Sequence, residues 1–234
     1  MTLPYFYEPS ISIPVSPRLI LSEETSKHCI QVLRMNVGDL LHLTDGKGHL
    51  FTASIANADK KYCEVNIEKS EFKSQQVRKV SIAISLLKNA SRFEWFLEKV
   101  TEIGVCEIIP LLCQRTEKQH FRQDRMNNIL IAAMLQSQQT WLPVLHVPIK
   151  FEEMVLTLTY PQRLIAHCEE DEKKVITRLP LESAIQILIG PEGDFSLIEI
   201  QSALKNNYLP VTLGDTRLRT ETAGVVAASL LMNL

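Results

Sequence analysis

Two short segments near the C-terminal end hold the residue types best suited to chemistry. The first is Ile189-Gly190-Pro191-Glu192-Gly193-Asp194-Phe195-Ser196, between an apolar strand-like run and a helix-like pattern. Two glycines let a backbone approach a ligand closely, and Pro191 stiffens the loop between them. The same residues also suit a plain tight turn with a Ser cap. The second is Leu213-Gly214-Asp215-Thr216-Arg217-Leu218-Arg219-Thr220-Glu221-Thr222-Ala223, which packs charge and hydroxyls between an apolar strand and an almost wholly apolar helix. Thr220 or Thr222 can cap that helix, and Glu221 suits its dipole. Arg219 does not: a cation beside a helix N-terminus opposes the local field. That makes Arg219 the candidate with function behind it. Neither segment is G-x-G-x-x-G or a P-loop, which disfavours a dinucleotide or a nucleoside triphosphate and sets aside a dinucleotide-dependent oxidoreductase.

Elements that would position these loops are legible from about residue 80. Val80–Leu87 is a continuous apolar run suited to a strand buried on both faces. Ser91-x-x-Glu94 reads as a capping box opening a helix whose apolar face is Phe93, Phe96, Leu97, Val100 and Ile103, closed by Gly104. Strands are predicted at Val105–Leu112, Arg163–Cys168, Ile185–Ile189 and Pro210–Leu213. Helices are predicted around Asp124–Gln138, from the capping box Ser196-x-x-Glu199, and over Thr222–Leu234. Such alternation predicts an α/β fold with a mostly parallel sheet covered on both sides, and ligands bind beyond the strand C-termini of such sheets.

The first seventy or so residues differ. A helix is predicted over Ser22–Met35, capped by Ser22 or Thr25, followed by alternating runs at Asp39–Thr44, His49–Ile55 and Tyr62–Ile67 with a hairpin turn at Asp45-Gly46. This pattern predicts a small β-barrel. The polar run Lys69–Lys79 reads as the linker, which gives domains 1–72 and 73–234.

Of the 234 residues, 45% are hydrophobic and 22% charged, as in ordinary globular chains. No apolar stretch approaches the roughly 20 residues of a membrane span, and the N-terminal residues lack a basic region before an apolar one. No membrane association and a cytoplasmic location are expected. Five cysteines (Cys29, Cys63, Cys106, Cys113, Cys168) without a C-x-x-C pair predict buried reduced thiols, with neither a disulfide framework nor a metal site. The net charge of −2 does not announce nucleic acid. Lys and Arg are nevertheless in excess between Ser74 and Leu130, and a basic band can bind phosphates.

The sequence resembles the ribosomal RNA small subunit methyltransferase E family, within the SPOUT superfamily of knotted methyltransferases. G-P-E-G-D-F-S followed by L-G-x-x-x-L-R-T-E-T-A carries the resemblance, and the two together are specific. His28–Met35, Gly38-Asp39, Asp45-Gly46, Lys88, Glu98–Val105, Ile109–Leu111, Arg115-Thr116-Glu117, Gln136-Ser137 and Pro143 extend it over the whole chain. Leu135 and Gln139 depart from the family's usual Glu and Arg, and Asp215, Thr216 and Arg217 from its usual loop.

The resemblance implies a PUA-like β-barrel, a domain with a C-terminal trefoil knot, bound S-adenosylmethionine, and a homodimer with its active site near the subunit interface. It implies methylation at N3 of a uridine in 16S ribosomal RNA of the small subunit. The implied cofactor pocket comprises Ile189, Gly190, Pro191, Glu192, Gly193, Leu213, Gly214, Leu218, Thr220, Thr222 and Ala223. His167 is placed either against the cofactor or in the core. As N3 loses its proton, a cation beside a ring oxygen stabilises the developing anion; this role falls to Arg219, with Glu221 orienting it or taking the proton. Arg34, Lys60, Lys61, Lys88, Arg92, Arg115 and Arg122 are the candidate RNA contacts. Two alternatives stay open: a SPOUT methyltransferase acting on another base or a ribose hydroxyl, and a catalytically weak RNA-binding ribosome-assembly protein.

Overall fold

The computed structural model describes residues 3–117, 120–157, 160–170 and 172–233. It divides into two compact units. One runs up to Gln75 and takes in Met134–Leu142, while the other comprises Gln76–Ala133 and continues from Pro143.

The first unit is a five-stranded mixed sheet in the order β1-β3-β4-β5-β2. Its strands are β1 (Tyr5–Tyr7), β2 (Arg18–Ile20), β3 (Leu40–Thr44), β4 (His49–Asn57) and β5 (Glu64–Phe72). Both edge strands send side chains into one core, Phe6 from β1 and Leu19 from β2, where they meet Leu41, Leu43, Phe51, Ile55 and Val65. The sheet therefore curls round a single apolar centre. The expected Ser22–Met35 helix is instead a short α1 (Glu23–Lys27) capped by Ser22, running into a π-helical turn at His28–Val32. The turn at Asp45-Gly46 is longer than a two-residue hairpin: both Gly46 and Gly48 take positive φ. A Cβ on Gly48 would stand 2.5 Å from the Trp141 ring, so that glycine is needed for close packing as well as for its backbone angle. Lys69–Phe72, taken as linker on polarity, is the last part of β5, with three of its four residues exposed.

Residues 134–142 join this unit largely through the main chain. Tyr5 Oη donates to the Gln139 carbonyl at 2.9 Å, Gly48 N to the Thr140 carbonyl at 2.9 Å, and Trp141 Nε1 to the Lys73 carbonyl at 2.8 Å.

In the second unit every strand pairing is parallel. The strands are β6 (Lys79–Ser85), β7 (Glu107–Leu112), β8 (Val144–Leu145), β9 (Ile149–Lys150), β10 (Gln162–Ala166), β11 (Lys174–Val175), β12 (Ala184–Ile189) and β13 (Leu209–Thr212). Their order is β11-β13-β10-β12-β6-β7-β8, with β9 also on β7. The helices are α2 (Ala90–Ile103), α3 (Gln123–Gln136), α4 (Phe151–Met154), α5 (Leu197–Lys205) and α6 (Thr220–Asn233); Leu234, the expected end of the last helix, lies outside the described residues. Because β11 pairs on the far side of β13, the β10–β12 connection passes beyond β13 and returns. The chain leaving β13 then turns back, and α6 packs on β6 and β12. A C-terminal trefoil knot requires this path, a rarity that local periodicity does not encode. Among the described residues no helix is long and apolar enough to cross a membrane.

Three local expectations are corrected. Ser91 does not cap α2: Asn89 does, its Oδ1 accepting from Ser91 N at 2.9 Å. Glu94, the other half of the expected box, instead holds Arg125 at 2.6 and 2.9 Å. Thr220 and Thr222 lie within α6, and Arg219 occupies its capping position, its carbonyl accepting from Ala223 N at 2.8 Å. The thiols are not all buried, since Cys168 is exposed and Cys106 only half-buried. Burial does push the Cys29 and Cys113 thiols up to about 12.

Gly224 is where α6 meets α2. A Cβ there would stand 2.5 Å from Phe96 Cε2 and 3.0 Å from Ile84 Cδ1, and both neighbours are fully buried. Gly224→Ala is expected to destabilise the protein by about 1–3 kcal/mol through overpacking, read as a lower denaturation midpoint; an unchanged or raised midpoint would refute this packing.

Candidate active site at the ends of the parallel strands

Parallel pairing of β10 with both β12 and β13 places Ala166, Ile189 and Val211 level at the C-terminal ends of the three strands. The loops that follow open two adjoining cavities there. One, of ≈ 240 Å³, is lined by His167, Lys173, Leu213, Gly214 and Asp215. The other, of ≈ 310 Å³, is lined by Ile189, Gly190, Pro191, Glu192, Asp194, Arg219 and Thr220. Ala166, Cys168, Arg217, Leu218 and Ala223 border both. Besides its apolar walls, the first presents His167, Lys173, Asp215, Arg217 and the hydroxyls of Thr212 and Thr216; the second gathers two carboxylates and two guanidiniums.

Each loop is held by identifiable bonds. Asp194 sits at φ 64°, a left-handed conformation that Asp tolerates because its side chain bonds locally. Its Oδ2 accepts from Cys168 N at 2.8 Å and its Oδ1 from Phe195 N at 2.8 Å, which tie the 190–195 loop to the end of β10. Arg115 reaches over from the β7–α3 connection, donating from Nη1 to the Gly193 carbonyl at 2.5 Å. Ser196 and Glu199 form the expected capping box. Glu199 also accepts from Gln114 N at 2.8 Å, a partner no local pattern foretells. A Cβ on Gly190 would meet Phe195 N and its ring at 3.1 Å, so that glycine lets the loop fold on itself. Gly214 differs: at φ 149° its missing Cβ would meet nothing within 4 Å, because the space beside it is open cavity.

The remaining predicted residues fall into groups. Gly193, Glu221 and Thr222 line neither cavity; Gly193 serves Arg115, and Thr222 is half-buried in the first turn of α6. His167 is buried and lines the first cavity. Arg219 is exposed on the second, directly before α6. Glu221, two residues on, is only 6% exposed and faces Arg92 across an Nε–Oε1 distance of 3.7 Å. Lys88 pairs with Glu117 at 2.7 Å, and its backbone N–H donates to Glu192 at 3.2 Å. Arg122 is exposed just before α3. In the first unit, Arg34 is exposed at φ 54°, and Lys60 and Lys61 are exposed in the β4–β5 loop. Sequence reasoning placed Asp194 in the first loop and Glu199 in a helix cap without giving either a tie to a neighbouring segment, and it did not single out Lys173. The ammonium of Lys173 donates to the His167 and Glu169 carbonyls at 3.1 and 2.6 Å, which tightens the loop after β10.

Residues 73–232 match a family described as an RNA methyltransferase domain, and residues 21–68 match an RNA methyltransferase PUA domain. A solved structure of a probable rRNA-methyltransferase from Porphyromonas gingivalis is 40% identical, superposes with a TM-score of 0.88, and is matched over 97% of this chain and 95% of that one. A putative methyltransferase from Legionella pneumophila, solved in complex with the bound cofactor SAM, is 31% identical at a TM-score of 0.87, over 99% and 97% of the two chains. The ribosomal RNA small subunit methyltransferase E of Buchnera aphidicola is 28% identical over 92% of this chain and 87% of its own length. Matched domain by domain, with the two loops framing one cleft, the chain belongs to the ribosomal RNA small subunit methyltransferase E family of RNA methyltransferases.

Proposed function

We propose that this chain transfers the methyl group of S-adenosylmethionine to N3 of a uridine in 16S ribosomal RNA, working in the cytoplasm as a homodimer. The observation that carries the reading is Arg219. It is an exposed guanidinium at the capping position of α6, on a cavity bordered by both glycine loops. Arginine has no acceptor with which to cap a helix, so its place there is better explained by what it offers a ligand.

The residues present fit the methyl donor. The open space beside Gly214 and the pinned backbone at Gly190 form a cradle for a nucleoside with few side chains in the way. Glu192 and Asp194 add carboxylates to a pocket that must receive an ammonium and a sulfonium. Bound there, the donor supplies an already activated methyl, so the protein's contribution is alignment and charge control. Arg219 and the positive end of α6 stabilise negative charge that develops on a ring oxygen as N3 loses its proton. Glu221 is the carboxylate assigned to that proton.

RNA recognition is assigned to the domain 1–72, with Arg34, Lys60 and Lys61 exposed there, and to Arg122 on the domain 73–234. Such a surface reads shape and unstacked bases in RNA. Homodimer formation is supported by Trp95, 43% exposed on α2, and by half-buried Val225, Val226 and Leu230 on the apolar α6.

Arg219→Ala is expected to slow methyl transfer about 10²–10³-fold while calorimetric affinity for S-adenosylmethionine stays near wild type. Wild-type turnover would defeat the assignment. Nucleoside digestion of the product RNA is expected to release N3-methyluridine; a 2′-O-methylated nucleoside or another methylated base would replace this reading with a different acceptor. Because phosphate contacts release counterions, activity is expected to fall steeply as salt is added, and a flat response through several hundred millimolar would contradict a phosphate-anchored substrate.

A further inference from the structure

The charged side chains at the cleft differ in whether the protein already engages them. Asp194 uses both carboxylate oxygens on main-chain donors, Oδ2 with Cys168 N and Oδ1 with Phe195 N, each at 2.8 Å. Glu192 accepts from Lys88 N at 3.2 Å. The Lys173 ammonium is held by the His167 and Glu169 carbonyls. Arg217 and Arg219 are different: among the described residues neither guanidinium has a hydrogen bond or an ion pair. Elsewhere in this unit Arg115 is tied to the Gly193 carbonyl, Arg125 to Glu94 and Arg78 to the Leu231 carbonyl.

Position also sets Arg217 apart. It borders both cavities, whereas Arg219 borders the second alone. Along Arg217-Leu218-Arg219 the side chains are exposed, half-buried and exposed, so both arginines stand on the open side of the loop. Two like charges so close repel each other, and the neighbouring carboxylates are already engaged. An entering anion would relieve that repulsion. A uracil ring needs one cation at a ring oxygen, which leaves the second guanidinium without a task. A nucleotide brings its own anion, the phosphodiester on the same ribose, and the guanidinium fork matches phosphate oxygens.

We propose that Arg217 binds a phosphodiester next to the acceptor nucleotide while Arg219 faces its base. The two arginines then take the backbone and the ring of a single nucleotide. This rests on the reading of the chain as an RNA methyltransferase with Arg219 at the acceptor ring. The contact is non-covalent and carries no sequence information; its task is to fix the register of the strand in the cleft. Such binding is uniform, made in the ground state and the transition state alike, so it acts on KM more than on kcat.

The test compares Arg217→Ala and Arg217→Lys with a control, Arg178→Ala; Arg178 is exposed and lines neither cavity. The readouts are kcat and KM for small subunits lacking the methyl group, affinity for those subunits across a salt series, and calorimetric affinity for S-adenosylmethionine. Arg217→Ala is expected to raise KM and weaken subunit binding about 10-fold. Its salt slope is expected to fall by about one, with kcat changed less than about threefold. Arg217→Lys keeps the charge, so it is expected to keep the salt slope but recover only part of the affinity, since an ammonium lacks the fork. Donor affinity is expected to stay near wild type in both, and Arg178→Ala to match wild type throughout. Weaker donor binding by Arg217→Ala would overturn the proposal by assigning Arg217 to the donor's carboxylate. So would a lower kcat at unchanged KM, which would put Arg217 at the ring, or a salt slope no different from that of Arg178→Ala, the behaviour of a solvated charge. Binding is read without turnover: a wild type that bound subunits but transferred no methyl would sink the proposed function, and the salt slopes would still decide for or against the anchor.

Discussion

Everything at the site depends on β10 pairing in parallel with β12 on one side and β13 on the other. The chain reaches those two flanks about twenty residues apart. It must carry the β10–β12 connection out past β13 and then bring α6 back under it. That path sets the 190–195 loop and the 213–219 loop side by side, although neither contains the residues that bring the other there. A cavity bordered by both is a product of topology first and of side chains second.

Within that frame the loops are held by groups with nowhere else to go. Asp194 accepts a left-handed backbone in exchange for bonds to Cys168 N and Phe195 N. Glu199 caps α5 and still reaches Gln114 N. Arg115 ties down the Gly193 carbonyl. Preorganisation of this kind allows alignment and charge control, rather than reactive protein groups, to account for methyl transfer from an activated donor. The close approach of Gly224 to Phe96 completes the frame, because it seats α6 against α2 and so fixes where Arg219 and Glu221 begin.

Sequence reading succeeded where the signal was local and long. The buried strands β6 and β12, the helix α2 and the Ser196–Glu199 box follow from apolar runs, helical spacing and a cap, all set within a few residues. It failed where a distant partner decided. Ser91 and Glu94 have the spacing of a capping box, yet Glu94 is taken by Arg125, thirty-one positions away, and Asn89 caps in its place. β8, β9 and β11 are two residues each, too short to show a period. The attachment of residues 134–142 to the first unit runs largely through carbonyls, such as that of Gln139, which any side chain would supply. At the site, the glycine loops and Arg219 were legible from residue type. The Arg92–Glu221 pairing was not, because it joins two helices whose contact only the fold creates.

The most direct test is the structure of this protein crystallised with S-adenosylmethionine. The donor is predicted to lie across the Gly190 and Gly214 loops, with its methyl turned toward the side of the cleft where Arg219 stands. A donor bound elsewhere on the chain, or a cleft that stays empty at saturating concentration, would contradict the account.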